Sequence, residues 1–390
     1  MKLHEVAKIN SKQINKDFNS EDIRYIDIAS VTKGSIDNIQ NLQTSKAPSR
    51  AKRLVKKNDI LYSTVRPNLE HYVFIKDKVA ENTVASTGFA VITPNEEFVD
   101  PYYLYCLITQ PKYTQYLSQV AEQAVSTYPT VSPNVIGDLE ISLPPLSEQK
   151  RISSILSSFD NKIEQLKKQN NILEDIAQSI FKEWFVKYNF PNKDGKPYKD
   201  NNGKMIDSEL GLIPEGWRVG KLGEIVKCFD SKRIPLSKEE REQRKGKYPY
   251  YGATEIMDYV NEYLFDGKYL LLAEDGSVQT NQGYPVLQLV DGKFWVNNHT
   301  HVLQGKEPFS TEYIYLLMKK FNITNIVTGA VQPKINKTNL LSLELLLPDR
   351  KLVQNFNKTN TFLFEKIFEN SYNITNLTKT KTALLNKLLQ

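Results

Sequence analysis

The chain has 390 residues and a mass of 44.8 kDa, which at roughly 100–200 residues per domain implies two or three domains. With 40% hydrophobic and 25% charged residues it has a globular composition, which excludes a disordered chain. Two widely separated cysteines, Cys106 and Cys228, exclude a disulfide framework and fit a reducing compartment. The net charge of +6 is mild: residues 1–146 carry 16 basic and 16 acidic side chains, 217–347 carry 17 and 15, and 348–390 carry 7 and 3. The run Lys46, Arg50, Lys52, Arg53, Lys56 and Lys57 contains no acid, and a second run from Lys232 to Lys247 is diluted by Glu239, Glu240 and Glu242. Both permit a nucleic-acid partner without requiring one. Charge at Lys2 and Glu5 argues against a signal peptide, and no apolar run nears the ~18 residues needed to span a bilayer. The expected location is the cytoplasm, with no membrane partner.

In chain order, residues 1–146 form a first mixed domain. Strand signals lie at Tyr25 to Ile28, Ile60 to Tyr62, Tyr72 to Ile75 and Phe89 to Ile92, with a short helix from Pro101 to Thr109. Pro144-Pro145 ends a strand-like Leu139 to Leu143, and Ser147 offers an N-cap for a long helix over 147–190. Ile152, Leu156, Phe159, Ile163, Leu166, Leu173, Ala177, Ile180 and Trp184 follow the alternating spacing of a coiled-coil seam. Residues 191–216, rich in Lys, Asp, Asn and Gly, read as a connector. A second mixed domain, 217–347, has strand signals at Tyr269 to Leu272, Val286 to Val290 and His301 to Leu303 and a helix at Thr311 to Lys320. A second long helix over 348–390 carries the seam Phe356, Leu363, Ile367, Ile374, Leu377, Leu384 and Leu388. Each seam helix of roughly 40 residues is about 60 Å long at ~1.5 Å per residue.

The two halves repeat. TVSPNVIGDLEISLP at 130–144 matches KINKTNLLSLELLLP at 334–348, an offset of 204 that aligns Leu139 with Leu343 and Glu140 with Glu344. Lys2-Leu3-x-Glu5-Val6 matches Lys221-Leu222-x-Glu224-Ile225 at offset 219, and Phe98-x-x-x-Tyr102 matches Phe309-x-x-x-Tyr313 at offset 211. Chance similarity of short apolar strands is the bland alternative, and three collinear echoes weigh against it. The expected fold is therefore α+β: two similar mixed domains separated by two long antiparallel coiled-coil spacer helices, pseudo-two-fold symmetric. If the helices overlap fully, facing residue numbers sum to about 540 and Asn170 meets Asn370. A paired seam asparagine fixes register where a lone one is only costly. A frayed seam with one amide in water is the alternative.

Catalytic signatures are missing. The sequence has no P-loop, no G-x-G-x-x-G, no [DN]-P-P-[YF], no H-E-x-x-H and no zinc-spaced cysteine cluster. His299-x-His301 is the only histidine pair and has no third ligand nearby in sequence, so a structural or DNA-contact role is favoured over metal and no metal is expected. Glu274-Asp275 lacks a lysine at nuclease-like spacing, and Asp349 in Pro348-Asp349-Arg350-Lys351 reads as a helix cap. Two non-identical domains held apart by a rigid helix pair would act as a ruler. Their opposed orientation suits duplex DNA, whose strands run antiparallel, and each would read a different half-site.

Several segments carry a family resemblance: LPPLSEQKRI (143–152), FKEWFVKYNFP (181–191), ELGLIPEGW (209–217), DILYSTVRPN (59–68), ASTGFAVI (85–92) and NNHTHVL (297–303). Across essentially its whole length the chain resembles the specificity subunit of a Type I restriction-modification system, the HsdS family. The start of the second helix, LPDRKLV, departs from that pattern by lacking the SEQK-like run. The resemblance implies two target-recognition domains and two spacer helices. It also implies double-stranded DNA as partner, together with two methyltransferase subunits and nuclease-translocase subunits. Those partners would hold S-adenosylmethionine and ATP with Mg, so this chain would need no cofactor and catalyse nothing itself. A self-sufficient methyltransferase or nuclease, and a coiled-coil scaffold without nucleic acid, are the competing readings. Apolar residues beyond the seam, Phe181, Phe185, Leu385 and Leu389, are assigned to partner subunits or to packing on the adjacent domains.

Candidate DNA contacts are donors on loops. In the first domain these are Ser63, Thr64, Arg66 and Asn68, with Lys52, Arg53, Lys56 and Lys57 for phosphates and Thr127, Tyr128 and Thr130 as a second polar loop. In the second domain they are Arg233, Arg241, Arg244, Lys245, Gly276, Ser277, Gln279, Asn281, Gln332 and Lys334. For each, a solvated surface residue is the plain alternative.

Overall fold

The computed structural model describes residues 1–15, 18–123, 128–329 and 331–389. The chain forms two compact units, Met1–Glu164 with Thr375–Gln390, and Gln165–Ile374. In the first, one four-stranded sheet runs from edge to edge as Ala7–Ile9, Phe89–Pro94, Ile60–Ser63 and Tyr72–Phe74. All four residues of Ile60–Ser63 are buried, because this inner strand is covered on both faces. A second sheet orders Gln40–Gln43, Asp22–Ile26, Thr83–Ser86 and Ala51–Leu54, with Asp22–Ile26 parallel to Thr83–Ser86.

The second unit repeats this plan strand for strand. Its first sheet runs Val226–Cys228, Thr300–Gly305, Tyr269–Ala273 and Leu287–Val290. Its second orders Ile256–Val260, Lys245–Tyr251, Lys293–Val296 and Phe265–Asp266, again with one parallel pair, Lys245–Tyr251 beside Lys293–Val296. The sequence echoes fall on equivalent places. Lys2 bridges Glu140 and the Leu3 amide donates to the Leu139 carbonyl at 3.0 Å. Likewise Lys221 pairs with Glu344 and the Leu222 amide donates to Leu343 at 2.9 Å. Asp100 caps the helix Pro101–Ile108 by accepting from the Tyr103 amide at 2.9 Å, and Ser310 caps Thr311–Lys319 by accepting from Tyr313 at 3.1 Å.

The first long helix spans Leu146–Phe181 and continues as a π-helical turn, Lys182–Val186; the second spans Arg350–Leu388. Ser147 sits inside the first turn instead of capping it, because the Pro145 carbonyl already accepts from the Glu148 and Gln149 amides. Asp349 caps the second helix, accepting from the Lys351 amide at 2.7 Å. In the first unit the helices join one apolar core, with Ile152, Leu156 and Leu389 buried and Leu384, Leu385 and Leu388 packed against them. Asp160 there accepts from Lys381 Nζ at 2.5 Å and from the Tyr102 hydroxyl. In the second unit Trp184 meets Phe356 with ring centroids 5.6 Å apart, and Phe181, Phe185 and Phe356 are buried in the core. The apolar residues beyond the seam therefore complete their own domains, where burying a Phe side chain is worth roughly 1.5–3 kcal/mol. Among the described residues no helix is long and apolar enough to cross a membrane.

Two amides face each other inside this second-unit seam. Asn370 Nδ2 donates to Asn170 Oδ1 at 2.9 Å and to Gln169 Oε1 at 3.2 Å, and Asn170 Nδ2 donates to Ser371 Oγ at 3.2 Å. Asn370 is only 1% exposed. Removing one partner strands a buried polar group, whereas replacing both can be nearly neutral. Asn170→Ala, which leaves the Asn370 amide buried without its partner, is expected to lower unfolding free energy by about 1–3 kcal/mol, and Asn170→Leu/Asn370→Leu to recover most of it; guanidinium denaturation of the three proteins checks this.

Candidate nucleic-acid interface

Each unit carries the same clasp at the end of its buried central strand. In the first, the strand Ile60–Ser63 runs into a loop whose Arg66 amide donates to the Pro129 carbonyl at 2.9 Å. The Val131 amide returns to Thr64 at 2.9 Å, and Val65 bridges Thr130. In the second unit, after Tyr269–Ala273, the Gly276 amide donates to Pro333 at 3.0 Å and the Ile335 amide to Glu274 at 2.9 Å, with Asp275 bridging Lys334. A third bond links each loop to a neighbouring turn: Thr64 N–H to Gly88 at 2.8 Å, and Glu274 N–H to His299 at 2.9 Å. Main-chain bonds thus tie loop, strap and turn together in both units.

Arg66 stands at the tip of the first clasp. Its backbone is left-handed at φ 46°, its side chain is exposed, and its guanidinium lies 5.0 Å from the Tyr128 ring centroid. Asn68 is exposed on the same loop, and Thr130 is half-buried on the strap beside it. Thr127 lies outside the described residues. In the second clasp Gly276 takes the same backbone region at φ 82°, Ser277 and Asn281 are exposed, and Gln332 is exposed on the strap.

Several expected contacts prove to be structural. Ser63 and Thr64 are buried, with Ser63 Oγ donating to the Val65 carbonyl at 2.8 Å and Thr64 Oγ1 to Gly88 at 2.9 Å, so both shape the loop. Arg53 turns inward, donating to Asn10 Oδ1 at 2.6 Å and to the Phe89 carbonyl, and burial holds its guanidinium below the ordinary arginine value. Arg233 is 13% exposed and donates to Glu274 at 2.6 Å and to the Thr300 carbonyl at 2.8 Å. Arg241 is 14% exposed; it donates to the Leu236 carbonyl at 2.7 Å, pairs with Asp258 at 3.4 Å and lies over Tyr250. Gln279 is half-buried, with its Oε1 enclosed. These charges lie where a polar group must be paired or pay desolvation.

Lys52, Lys56 and Lys57 are exposed. Lys56 and Lys57 precede the strand Ile60–Ser63 while Arg66 follows it, so the basic run and the clasp lie at opposite ends of one strand. Arg50 is closer: its carbonyl accepts from Thr87 at 2.8 Å, beside Gly88, and its side chain is exposed. It belongs to the basic run, and its pairing with the Thr87 turn is a long-range contact that sequence spacing does not reveal. Arg244 and Lys245 sit apart from the second clasp, paired with Glu262 at 3.5 Å and Asp258 at 2.6 Å. Lys334 pairs with Asp275 at 3.2 Å within the clasp. His299, which the sequence offers only as part of a histidine pair with a structural or DNA-contact role, is 51% exposed there, with Nδ1 3.1 Å from Asp275.

Beneath the second clasp lies a buried ionic group. His301 is fully buried, with Nδ1 2.6 Å from Asp230 and Nε2 2.8 Å from the Ile335 carbonyl; Arg233 and Glu274 complete the cluster. Cys228, Asp230 and His301 place ligand-type atoms within 4.8 Å of one another, so ligands do approach His301 in space. Both nitrogens of that ring are already hydrogen-bonded, however, and burial pushes the Cys228 thiol up to about 11, so the arrangement suits a structural network better than a cation. Burial pushes the Asp230 carboxyl up, but hydrogen bonds from His301 and the Val302 amide and the charge of Arg233 hold it below its ordinary 3.8.

The family model for the Type I restriction modification DNA specificity domain matches residues 1–198 and 214–384. The chain belongs to this specificity family. A HindI specificity subunit of Haemophilus influenzae is 37% identical over 39% of the chain, a match that spans 32% of that relative. The MjaIX specificity subunit of Methanocaldococcus jannaschii is 28% identical over 78% of the chain and 70% of its own length. The crystal structure of a Type I restriction-modification S subunit from M. genitalium shares the fold at 14% identity, with a TM-score of 0.53 over 100% of this chain and 95% of that one. The fold class expected from the repeats, two mixed domains with long helices, is the fold of this specificity family.

Two predictions separate framework from interface. Arg53→Ala is expected to cost about 1–3 kcal/mol of stability, and Lys56→Ala to stay within about 0.5 kcal/mol, both read by urea denaturation. Asp230, lowered in the folded state, contributes stability that is present above its ordinary value and lost as pH falls through the folded value. Asp230→Asn should therefore melt earlier than the parent at pH 7, with the gap closing in the acid range below about 4; thermal melts across pH measure this.

Proposed function

We propose that this chain is the non-catalytic, sequence-specific DNA-binding subunit of a Type I restriction-modification complex. It reads a bipartite, asymmetric target in double-stranded DNA. It directs adenine methylation by two methyltransferase subunits and restriction by nuclease-translocase subunits, in the cytoplasm. S-adenosylmethionine and ATP with Mg belong to those partners. The observation that carries this reading is one clasp built twice with the same backbone bonds and different side chains, Arg66 at the tip of one and Gly276 at the tip of the other. A duplicated frame with unlike tips suits two unlike half-sites, and family membership supplies the class of target.

Arg66 is a guanine reader by chemistry: a guanidinium offers two parallel donors to O6 and N7 in the major groove. Stacking on Tyr128 restricts its orientation before DNA arrives. Lys56 and Lys57, exposed and remote from the clasp, suit phosphates. For the partner subunits, Ile172 and Ile176 stand exposed one turn apart on the first long helix, a short apolar stripe on an otherwise polar face.

Arg66→Ala is expected to relax the requirement at one base pair of one half-site by about 1–3 kcal/mol and leave the other half-site unchanged. Lys56→Ala should weaken binding to every sequence alike and flatten the salt dependence by about one. Duplex-binding titrations of the complex with methyltransferase subunits, over a panel of single-base target variants, distinguish the two. An equal loss on all sequences for Arg66→Ala would refute its reading role.

A further inference from the structure

The two clasps share a frame, and superposing their hydrogen bonds pairs Arg66 with Gly276 and Gly88 with His299. These two matched positions are filled in opposite ways in the two units. The first unit fills the tip with Arg66 and leaves the neighbouring turn bare at Gly88. The second leaves the tip bare at Gly276 and fills the turn with His299. Packing enforces part of this exchange. A Cβ at Gly88 would come within 2.3 Å of Ile28 Cδ1, so a side chain on the first turn would require the end of Ile28 to move. At Gly276 a Cβ would meet nothing within 4 Å, so that tip is bare by sequence and not by crowding.

We infer that His299 is the specificity-determining residue of the second unit, reading its half-site from the turn as Arg66 reads from the tip in the first. The inference rests on the DNA-recognition reading above. His299 is half-exposed, and Asp275 accepts from its Nδ1 at 3.1 Å, which sets the ring orientation and leaves Nε2 for an outside partner. Asp275 is in turn held by Lys334 at 3.2 Å. Burial pushes the Asp275 carboxyl up, but His299 and Lys334 hold it below the ordinary carboxylate value, so it remains a fixed acceptor. The ring's amide neighbour is also pinned, since the His299 N–H donates to Asn297 Oδ1 at 2.9 Å. A ring oriented by Asp275 at Nδ1, on a residue whose backbone is pinned by Asn297, is a preorganised contact to a base edge through Nε2. Asp275 is a positioning residue that acts through it.

The test is a genome-wide map of methylated adenines in cells carrying the full complex with the parent chain, His299→Ala, His299→Gln, Asp275→Asn, or a deletion of this gene. Expected is a bipartite motif lost on deletion. His299→Ala should cut discrimination about tenfold at one base pair of one half-site, equivalent to about 1.4 kcal/mol, and Asp275→Asn should loosen the same base pair less. Arg66→Ala should loosen the other half-site. A motif identical to the parent's in both His299 variants, or a uniform fall at all sites with the melting temperature preserved, overturns the inference while leaving the DNA-recognition reading standing. A motif that survives deletion overturns both. His299→Gln, which keeps size and a hydrogen-bonding side chain, supplies the comparison if the alanine variant does not fold.

Discussion

The structure depends on apolar seams that cannot be left in water. A long helix with a one-sided apolar stripe is unstable by itself, and here each stripe is covered by the other helix and by a globular core. In the first unit Ile152 and Leu156 enter the same core as Leu389, residues more than two hundred positions apart in the chain. In the second, Phe181, Phe185 and Phe356 do the same with edge-to-face ring contacts. The domains are therefore not independent beads on a rod; each core is finished by helical residues. Two polar contacts cross the seam, Asn170 with Asn370 and Asp160 with Lys381, while the buried Asn360 bonds only to the Phe356 carbonyl of its own helix. A one-heptad slip would separate both pairs, so the seam's few polar residues select among registers that its leucines would tolerate.

A second constraint is the cost of buried charge. Several basic residues that the sequence places in charged runs lie close to the core and are consumed there. Arg53, Arg233 and Arg241 each close a hydrogen-bond network with carbonyls or carboxylates. The cluster of Arg233, Asp230, Glu274 and His301 lies under the second clasp and fixes the strand ends from which the clasp loop departs. Rigid charge beneath a loop gives the residues above it a defined direction, which is what selective recognition requires.

Much of this was legible in the sequence because it is periodic. The seam spacing gave both helices, and the echoes at Lys2 and Lys221 and at Glu140 and Glu344 mark strand pairings that the structure contains in both units. The parts that were not legible depend on tertiary direction. An arginine in a basic run reads the same whether it faces water, as Arg50 does, or an Asn10 side chain, as Arg53 does. Ser63 and Thr64 sit beside Arg66 in sequence yet point into the fold, because the strand's last residues are still covered. His299 looked like one half of a histidine pair. In the structure its neighbour His301 is buried against Asp230, while His299 remains at the surface, since the turn ends between them and the strand Thr300–Gly305 begins. Connector and cap positions were harder still: Ser147 has the chemistry of a cap, but Pro145 starts the helix two residues earlier.

The clasp lets one backbone display two different sets of side chains. Its bonds are made by main-chain groups, which every residue except proline can supply in full, so its geometry is insensitive to the side chains it displays. The positions where side chains emerge are then free to diverge after duplication, subject to local space. Ile28 crowds one such position in the first unit, whereas the surroundings of Gly276 in the second are open and only its positive φ disfavours a side chain. Left-handed backbone at Arg66 costs roughly 1–2 kcal/mol for a residue with a Cβ, a strain that glycine at 276 avoids. That strain is retained at the exposed tip of a loop whose stability would improve without it. It is offset there by the main-chain bonds that hold Arg66, its N–H to Pro129 and its carbonyl from Leu69, and by the guanidinium's stacking on Tyr128.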